Sequence, residues 1–455
     1  MNKSLSKTKT KETPSEGAVH FIGIGGIGIS SLARWYKAQN WAVTGSDAVR
    51  SSVTDDLRRE GVKVKIGSKK TNIPKEAQLV IHTVAIPPEN EELIEARSRG
   101  IRVITYPQAL GEFTGRYKTI AVSGCHGKST TTALIAKILI EAKLDPTVVV
   151  GTKVEGSNFR YGKGKYLVIE ADEYRGAFWN YLPYAAIINN IELDHLDFYK
   201  DIEDIKKSFI EFSQNVSKDG FIVVNGDDKN VSDVVSKIKD KKIVTFSEAD
   251  SAVIEKIKKV IKIPGHHNVL NALAAYKVAK ELKIKEDAIL KAIGKFKGVW
   301  RRSEYVGKTK EGWKVFDDYA HHPTAVKVTL DGFKEKYPKD YLVAVFQPHQ
   351  MLRFTSLYED FKTCFDSADK GLLFDVYNPA GRDEKKSKVS AKTLVKDLNV
   401  IAKASKQAPK AIYVTAQDFK KTINAIIKES GKKSGIIVVM GAGDINKLTP
   451  KILVK

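Results

Sequence analysis

Short apolar runs alternate with amphipathic segments along nearly the whole chain. The amphipathic segments show helical periodicity, most clearly at residues 30–39 and 268–282. Alternation of this kind predicts an α/β fold built on parallel sheets. The apolar runs have the length of buried strands and lie at residues 18–22, 41–44, 79–82, 103–105, 119–122, 166–169, 185–188, 221–224, 314–316, 341–346, 370–374, 411–414 and 436–440.

The length of 455 residues is enough for about three domains. A Lys-, Ser- and Thr-rich stretch at residues 1–17 precedes the first strand and is predicted to be a disordered tail. Residues 111–117 separate two strand–glycine–helix units and are interpreted as a linker. The pattern resets again near residues 296–298. The sequence therefore predicts three consecutive α/β domains.

Composition and charge narrow the class of protein. Hydrophobic residues make up 42% and charged residues 29%, which is globular and excludes fibrous or wholly disordered chains. The net charge of +22 favours anionic partners such as nucleic acid, a membrane surface or a phosphorylated small molecule, although a Lys-rich solvated surface is the preferred explanation for most of it. Because the chain has no Arg cluster interleaved with aromatic residues, nucleic acid is not an expected partner.

The cellular location is expected to be the cytoplasm. Two cysteines, Cys125 and Cys364, are too few for a disulfide framework and indicate a reducing compartment. The first seventeen residues lack the apolar core of a signal peptide. The apolar runs are far shorter than the roughly 20 residues of a membrane helix, so no membrane association is expected.

A first glycine cluster at residues 23–28 follows the first strand and opens a helix. Gly23, Gly25 and Gly28 fit the G-x-G-x-x-G spacing, which, with Gly26, lets a diphosphate approach the helix N-terminus. Asp47 follows at the distance where a partner for a ribose hydroxyl is expected. A tight turn with no ligand is the alternative interpretation, since such turns also use glycine for packing.

A second cluster, at residues 123–132, is more specific. It again lies between a strand and a helix and contains Gly-Lys-Ser-Thr-Thr-Thr. Lys128 can neutralise the β- and γ-phosphates of ATP, and the Ser129 hydroxyl can contact Mg²⁺. The loop is shorter than the common phosphate-binding motif, because position 122 is Val. We expect ATP to bind here, at Gly124, Cys125, His126, Gly127, Lys128, Ser129 and Thr130.

Acidic residues follow two further strands. Glu170 ends one apolar run, and residues 189–197 leave another and include His195. Ligands collect at the carboxyl edge of parallel sheets, and Mg²⁺ prefers a few protein oxygens together with phosphates and water. Beside a phosphate loop these residues are candidates for metal ligands; alone, each segment would be an ordinary exposed acidic loop.

The last third of the chain adds amides, cations and a His pair. Asn268 and Asn271 share a helix face that can contact a purine edge, although Asn268 can also simply cap the helix. Arg302 supplies a fixed cation. Asp318 precedes the adjacent residues 321 and 322, both His, for which zinc is an alternative; no Cys or third His has ligand spacing nearby.

In this order the motifs resemble those of the Mur ligases of peptidoglycan synthesis. The matching segments run from residue 18 to residue 444 and include GCHGKSTT at 124–131, EADEY at 170–174, NIELDHLD at 190–197, GHHNVLNA at 265–272, RR at 301–302 and DDYAHHPT at 317–324. The resemblance implies an α/β fold with three domains: a Rossmann-like UDP-sugar-binding domain at 18–115, a central P-loop ATP-binding domain with a parallel sheet at 116–297, and a Rossmann-like amino-acid-binding domain that closes over the nucleotide at 298–455.

The resemblance also implies a reaction and roles for individual residues. An ATP-dependent ligase would join L-alanine to the carboxylate of UDP-N-acetylmuramate through an acyl phosphate, with ATP and Mg²⁺ as cofactors, as a monomer or homodimer. The implied catalytic residues are Lys128, His195 and Arg302, and the metal ligands are Ser129, Glu170 and His195. Asn268 and Asn271 would contact adenine, Arg302 the phosphates and Asp318 the ribose. Gly23, Gly25, Gly26, Gly28 and Asp47 would bind the UDP-sugar, and Tyr319, His321, His322 and Arg353 the amino acid.

The sequence departs from the family pattern at a few positions. Cys125 and Ser129 stand where the family usually has Thr, and Ser keeps the hydroxyl. Relatives usually carry Arg where this chain has Gln350, so of the expected pair only Arg353 remains. If the pair clamps the amino acid's carboxylate, the loss of one cation weakens that contact and could change which amino acid is used.

Alternative functions remain open at this point. A ligase that recycles murein tripeptide would use the same sugar carboxylate and shares the EADEY segment. A non-catalytic nucleotide-binding protein on the same fold is a second alternative, which the presence of Lys128, Glu170, His195 and Asp318 disfavours. A dehydrogenase would use the first glycine cluster for NAD, but no hydride-transfer site is evident.

Overall fold

The computed structural model describes residues 17–154, 157–195, 198–378, 387–405 and 410–454. The predicted tail lies outside this range except for Gly17. The described chain has an α/β architecture with three sheets, which confirms the predicted fold class. It divides into two compact units: one holds the residues through Arg116 together with Asn158–Tyr161, and the other holds Tyr117–Ser157 and the residues from Gly162 onward.

The first sheet has five parallel strands in the order β3-β2-β1-β4-β5. The strand order reverses beside β1, and in such sheets ligands bind at this switch point, outside the carboxyl ends of the strands. Its strands are β1 (Ala18–Ile22), β2 (Ala42–Asp47), β3 (Lys63–Ile66), β4 (Leu79–His82) and β5 (Arg102–Thr105), and its helices are α1 (Ile27–Ala38), α2 (Ser52–Arg59), α3 (Glu91–Ser98) and α4 (Tyr106–Thr114), with a 3-10 turn at Lys70–Asn72.

The prediction of a linker at residues 111–117 is wrong for residues 111–114, which belong to helix α4. Thr105 caps α4 through the backbone N–H of Gln108, and the helix continues to Thr114. Leu110 and Phe113 are buried on it. The glycines and polar residues of this stretch suggested an extended connection, but the buried apolar side chains hold the helix together. The connection to the next strand is therefore only three residues long, from Gly115.

The second sheet runs in the order β12-β11-β10-β6-β9-β7-β8. Its strands are β6 (Lys118–Ser123), β7 (Thr147–Val154), β8 (Ser157–Arg160), β9 (Tyr166–Glu170), β10 (Ala185–Ile188), β11 (Phe221–Asn225) and β12 (Lys242–Phe246). Its helices are α5 (Lys128–Glu141), α6 (Ile202–Gln214), α7 (Lys229–Val235), α8 (Ser251–Val260), α9 (His266–Glu281) and α10 (Glu286–Lys295), with a 3-10 segment at Tyr174–Asn180.

The register of this sheet brings three strand ends together. On β6, Ser123 pairs with Ile188 of β10, and Val122 pairs with Glu170 of β9. Because the three strands are parallel, the residues that follow them leave the sheet at the same edge. Apolar residues of α5 and α9 pack in one core beneath this edge, including Leu134, Ile138 and Leu273.

The third sheet is mixed, in the order β13-β14-β18-β15-β16-β17. Only β13 is antiparallel among its paired strands. Alternate residues of β15 enter two different apolar clusters, so this strand is buried on both faces. The strands are β13 (Glu304–Lys308), β14 (Lys314–Asp318), β15 (Tyr341–Phe346), β16 (Lys370–Leu373), β17 (Ala411–Tyr413) and β18 (Gly435–Met440); the helices are α11 (Pro323–Lys336), α12 (Met351–Ser356), α13 (Tyr358–Phe361), α14 (Ala391–Ala404) and α15 (Phe419–Ser430), with a 3-10 segment at Ile445–Ile452.

Candidate active site

The loop between β6 and α5 has the backbone that phosphate binding requires. Gly124 and Gly127 have φ values of +124° and +79°, which favour glycine. A Cβ at Gly127 would lie 2.3 Å from Oδ1 of Asn271, so a side chain has no room there. The loop ends at the N-terminus of α5, where backbone N–H groups and the helix dipole attract anions.

Lys128 lies at the centre of this loop and is paired with a buried acid. Its Nζ donates to the carbonyl of Gly124 at 2.7 Å and to both oxygens of Glu173, at 3.1 and 2.9 Å. Burial alone would lower the pKa of Lys128, but the charges of Glu173 and Asp172 outweigh it and raise the pKa above its usual range. The ammonium is therefore charged and held in the loop. Glu173 was not among the predicted site residues, although it lies in the same acidic motif as Glu170.

Two asparagines after β10 hold the loop from the side. Oδ1 of Asn190 accepts from the backbone N–H of His126 at 2.8 Å, and the amides of Asn189 and Asn190 donate to the carbonyl of His126. Neither asparagine was predicted as a site residue. The signal was available, because both directly follow an apolar strand whose carboxyl end adjoins the phosphate loop.

Cys125 is held in the loop by the backbone of Glu192. Its Sγ donates to the Glu192 carbonyl and accepts from the Glu192 N–H, both at 3.2 Å. Burial raises the pKa of the Cys125 thiol well above its usual range. The thiol is therefore a neutral hydrogen-bonding group at this position.

The predicted metal ligands fall into two neighbouring groups. Glu170 is placed against the loop: its Oε1 accepts from the N–H of Gly151 at 2.6 Å, and its carboxylate interacts with the Ser129 hydroxyl. Burial raises the pKa of Glu170, while the Gly151 N–H and the charge of Lys128 oppose the rise. Ser129 is itself buried. The carboxylate and the hydroxyl thus lie together beside the N-terminus of α5.

His195 lies in the second group, with Asp172 and Glu173. One ligand atom from each of the three side chains falls within a 4.8 Å cluster. His195 Nε2 is 3.8 Å from Oε1 of Glu173, the same carboxylate that binds Lys128. The backbone of His195 has a φ of +55°, and its N–H donates to Oδ1 of Asp194 at 2.7 Å. Asp172 and Glu173 were missed as companions of His195 because the motif that contains them lies more than twenty residues earlier.

A pocket opens next to the phosphate loop. Its lining residues come from the segments around the second and third sheets, and all of them belong to the second compact unit. His126, Gly127, Ser129 and Thr130 line its phosphate-loop side. Four predicted ATP residues from later in the chain also line it, namely Asn268, Asn271, Arg302 and Asp318, whereas Gly124, Cys125 and Lys128 do not. The fold thus brings together residues as far apart in the sequence as His126 and Asp318.

The two helix asparagines are buried in this pocket and contact each other. Asn271 Nδ2 donates to Oδ1 of Asn268 at 3.3 Å, and Asn268 Nδ2 donates to the carbonyl of Pro264 at 2.6 Å. Thr131 on α5 donates to Oδ1 of Asn271 at 3.3 Å. Both side chains lie on one face of α9, as the i, i+3 spacing predicts.

Asp318 ends β14 and is fixed by the turn that carries the Arg pair. Its Oδ2 accepts from the N–H and hydroxyl of Ser303 at 2.6 and 3.2 Å, and its Oδ1 accepts from the N–H of Ala320 at 2.7 Å. Burial raises the pKa of Asp318, and the charge of Arg302 opposes the rise. The guanidinium of Arg302 lies 4.9 Å from the centre of the Tyr319 ring.

The predicted amino-acid residues are only partly brought together. His321 Nδ1 lies 2.9 Å from the carbonyl of Tyr319, and its ring faces His349 at 5.8 Å. Arg353 is instead buried in an ion pair: its Nε and Nη2 donate to Oδ1 of Asp194 at 3.1 and 2.7 Å. Although burial would raise it, the charge of Arg353 holds the pKa of Asp194 well below its usual range.

His322 lies near a different carboxylate. It is buried and lies near Glu192, with its Nδ1 3.7 Å from Oε2 of that residue. Gln350 has a φ of +67° and its N–H donates to the carbonyl of Tyr377 at 2.8 Å. The chain thus turns sharply at Gln350 as it enters α12. The Gln350 side chain is uncharged, so it adds no second cation beside Arg353.

The glycine cluster of the first unit occupies the switch point. Gly23 directly follows β1 with a φ of +80°, and its N–H donates to the carbonyl of Ser46 at 2.8 Å. Oδ2 of Asp47 accepts from the N–H of Gly25 at 2.8 Å. A Cβ at Gly25 would lie 2.8 Å from that oxygen, and a Cβ at Gly28 would lie 2.6 Å from the Tyr106 hydroxyl. Gly26 caps α1.

Comparison with known proteins identifies the family. The model of the Mur ligase family catalytic domain matches residues 18–118, that of the Mur ligase middle domain matches 122–279, and that of the Mur ligase glutamate ligase domain matches 301–443. A UDP-N-acetylmuramate–L-alanine ligase of Clostridium botulinum is 36% identical over 94% of this chain and 96% of its own. The chain belongs to the Mur ligase family.

Solved structures of Mur ligases have the same fold. The crystal structure of UDP-N-acetylmuramate-alanine ligase MurC from Thermotoga maritima has a TM-score of 0.76 and 26% identity, and covers 96% of this chain and 98% of its own. A murein peptide ligase from Psychrobacter arcticus has a TM-score of 0.66 and 25% identity over the same shares. These matches confirm the predicted family and fold.

No helix among the described residues of this Mur ligase combines the length and apolarity needed to cross a membrane.

Proposed function

We propose that this Mur ligase joins L-alanine to the carboxylate of UDP-N-acetylmuramate at the expense of ATP, in peptidoglycan biosynthesis. The observation that carries the proposal is the phosphate loop: Lys128, held charged by Glu173, lies beside a pocket that Asn268, Arg302 and Asp318 line. The relative of Clostridium botulinum, similar over nearly the whole of both chains, supports the choice of substrates.

The work is divided among three domains. Residues 18–115 bind the UDP-sugar, with Gly23, Gly25, Gly26 and Gly28 around the diphosphate and Asp47 toward the ribose. The Asp47 carboxylate accepts a hydrogen bond from the Gly25 N–H, and this bond must be replaced by one from a ribose hydroxyl when the UDP-sugar binds. Residues 116–297 bind ATP, and residues 298–455 bind the amino acid and close over the nucleotide. The protein is proposed to act in the cytoplasm as a monomer or homodimer.

ATP is held in the pocket by complementary groups. The phosphates meet the N–H groups of the loop and the charges of Lys128 and Arg302, and the adenine meets the amides of Asn268 and Asn271. Asp318 accepts from the ribose hydroxyls. The fit is supported by the glycine at 127, where a Cβ would fill the cradle, and by the Oδ1 of Asn189, which has no hydrogen-bond partner among the described residues.

Mg²⁺ is proposed to bind at Ser129, Glu170 and His195. The donors are a hydroxyl, a carboxylate and an imidazole beside a phosphate site, and hard cations favour such oxygen-rich sets completed by phosphates and water. When bound, Mg²⁺ neutralises charge on the phosphates. Glu173, which contacts Lys128 and lies near His195, links the two groups.

The reaction needs positioning and charge neutralisation more than covalent help from the protein. A carboxylate oxygen of the sugar attacks the γ-phosphorus, the bond to ADP breaks, and an acyl phosphate forms. The amine of alanine then attacks the acyl carbon, and phosphate leaves from the tetrahedral intermediate. Lys128 and Arg302 stabilise charge on the transferring phosphoryl group. His195, which clusters with Asp172 and Glu173, is proposed to assist as a metal ligand.

The amino acid is proposed to bind near Tyr319, His321, His322 and Arg353. Because Arg353 is paired with Asp194, its guanidinium contributes one free edge to the carboxylate of the incoming amino acid. With Gln350 in place of a second Arg, the carboxylate meets one cation and one amide. We expect a higher KM for L-alanine than two cations would give.

The test is phosphate release from ATP and Mg²⁺ with UDP-N-acetylmuramate and a panel of amino acids. Release that depends on L-alanine is expected. Release with glycine or L-serine instead would keep the ligase activity and make Gln350 the determinant of specificity. Phosphate release only with the murein tripeptide would replace the proposal by the recycling ligase. Binding of nucleotide without phosphate release for any substrate would indicate a non-catalytic nucleotide-binding protein.

A further inference from the structure

Three side chains from distant parts of the sequence meet at one edge of the pocket. His126 belongs to the phosphate loop, Glu192 follows β10, and His322 precedes α11. One ligand atom of each falls within a cluster of 4.8 Å. Oε2 of Glu192 lies 3.3 Å from Nε2 of His126 and 3.7 Å from Nδ1 of His322.

His322 is the residue in this cluster whose bonding is incomplete. Its side chain is 6% exposed, and neither ring nitrogen has a hydrogen-bond partner among the described residues. Within the described part of the chain, both nitrogens of this buried ring therefore lack the hydrogen bonds that buried polar groups normally make. Imidazole nitrogens are the commonest metal ligands in proteins.

The two separations from Glu192 to the histidine nitrogens are close to those of a tetrahedral metal site. Zinc binds imidazole nitrogen and carboxylate oxygen at about 2.0–2.1 Å, so two ligand atoms of a tetrahedral site lie about 3.3 Å apart. The two measured separations, 3.3 and 3.7 Å, are close to this value. Two His and one Glu, with water in the fourth position, is a known zinc set.

The cluster differs from the group proposed for Mg²⁺. That group consists of one carboxylate, one hydroxyl and one imidazole, whereas this one offers two imidazole nitrogens and one carboxylate oxygen. Nitrogen donors favour zinc over magnesium. The adjacent pair His321–His322 in the sequence is not the site, because His321 turns toward Tyr319 and His349.

We propose that His126, Glu192 and His322 bind a zinc ion, with water as the fourth ligand. The ion connects the phosphate loop to the start of α11. Thr324, whose hydroxyl donates to Oε2 of Glu192 at 2.9 Å, orients the carboxylate. Zinc binding needs no nucleotide, since all three ligands belong to the chain, but the site adjoins the pocket proposed for ATP, which His126 and Glu192 also line.

The test titrates the full-length, ligand-free protein with Zn²⁺ against a chromophoric chelator, and with Co²⁺ as a spectroscopic probe. Wild type is expected to bind zinc tightly and to give the intense visible absorption of tetrahedral Co²⁺. His322→Asn and, separately, Glu192→Gln are each expected to weaken binding at least about 100-fold, because each removes a ligand. The isosteric Glu192→Gln change gives a second reading if His322→Asn does not fold.

The matched control is His266→Asn. His266 also contacts a glutamate, Glu248, but the pair is exposed and is not part of a three-residue cluster among the described residues. Its replacement is expected to leave zinc affinity and the Co²⁺ spectrum unchanged. The proposal is overturned if wild type binds no zinc at about 100 μM, if folded His322→Asn or Glu192→Gln binds as tightly as wild type, or if only His195→Asn abolishes binding.

Discussion

Lys128 and Glu173 form a pair in which each residue depends on the other. The Glu173 side chain is 2% exposed and Lys128 is 17% exposed. A buried carboxylate that loses its cation is costly, by about 3 kcal/mol or more. The lysine of the phosphate loop therefore serves both phosphate binding and local stability.

Lys128→Ala is expected to lower phosphate release from ATP at least about 1000-fold, since it removes the charge that faces the transferring group. It should also lower the melting temperature, because Glu173 stays buried and unpaired. UDP-N-acetylmuramate binding, measured by calorimetry, should not change. Lys297→Ala, at an exposed position, is the control. Wild-type turnover in the Lys128 variant would contradict the assigned role.

Gly127→Ala tests the steric limit of the phosphate loop. The new Cβ would lie 2.3 Å from Asn271 Oδ1 and would also sit at a positive φ. We expect phosphate release to fall at least about 100-fold, a loss typical of displaced phosphate-binding groups. Gly312→Ala separates the two effects: its φ is +87°, but its Cβ would meet nothing within 4 Å. That control should lose some stability and keep its activity; equal losses in both variants would show that backbone strain alone is responsible.

At the scale of single residues, the sequence predicted side chains that lie within a recognisable motif. It missed side chains that contact them only because the fold brings distant segments together. Lys128, Ser129 and Asn271 were found from local spacing. Asn189, which supports the loop, carried only the weak signal of a polar residue after a strand. The Asp194–Arg353 pair joins residues 159 positions apart, and no local pattern could predict that pairing.

At the scale of elements, α5 and α10 are joined at their ends by a charge cluster. Glu141, in the last turn of α5, accepts from Lys291 at 2.6 Å and from Lys295 at 3.0 Å. Hydrogen bonds from both lysines lower the pKa of Glu141. The cluster lies at the surface, so its contribution is small and screened by salt.

Glu141→Gln is expected to lower the melting temperature by about 1–2 °C at pH 7 and low salt. Because the folded pKa is below the unfolded value of about 4.3, the contribution is complete above that pH and is lost as the pH falls through the folded pKa. The difference between variant and wild type should therefore vanish in acid and in 1 M salt. The control is Glu311→Gln at an exposed turn. A difference that persists at pH 2.5 would contradict an electrostatic origin.

Most interior strands were predicted from the sequence, whereas four of the six edge strands were missed. The apolar runs of β4, β10 and β15 matched the structure residue for residue, because strands covered on both faces are continuously apolar. The missed edge strands are β3, β8, β12 and β13, and the interior strand β7 was missed as well. In β3 and β13 the residues are mostly exposed or half-buried and mix polar with apolar types. Since β13 is antiparallel, the third sheet is mixed rather than wholly parallel.

At the scale of the whole molecule, the family and the three-sheet architecture followed from the order of motifs, whereas the domain boundaries remain predictions. The described chain forms two compact units, and the second contains the third sheet and the second sheet apart from most of β8. Sequence periodicity cannot predict this grouping. The periodicity reflects packing within a domain, whereas the grouping depends on contacts between domains.

Hydrogen exchange tests the division of labour among domains. Addition of UDP-N-acetylmuramate alone should protect amides at residues 23–28, and a non-hydrolysable ATP analogue with Mg²⁺ should protect residues 124–130. Backbone N–H groups that bind phosphate exchange more slowly. The free protein and the protein with UDP-N-acetylglucosamine are the controls. Protection of the first glycine cluster by the ATP analogue instead would reverse the two assignments.

The most direct test of the central account follows an oxygen atom. UDP-N-acetylmuramate labelled with ¹⁸O in its carboxylate is incubated with ATP, Mg²⁺ and L-alanine, and the released phosphate is analysed by mass spectrometry. If the carboxylate attacks the γ-phosphorus and the amine then displaces phosphate, each phosphate formed from fully labelled substrate carries one ¹⁸O, and the sugar nucleotide gains the mass of an alanyl residue. Phosphate without label, or released without the alanyl product, would contradict the proposed ligase reaction.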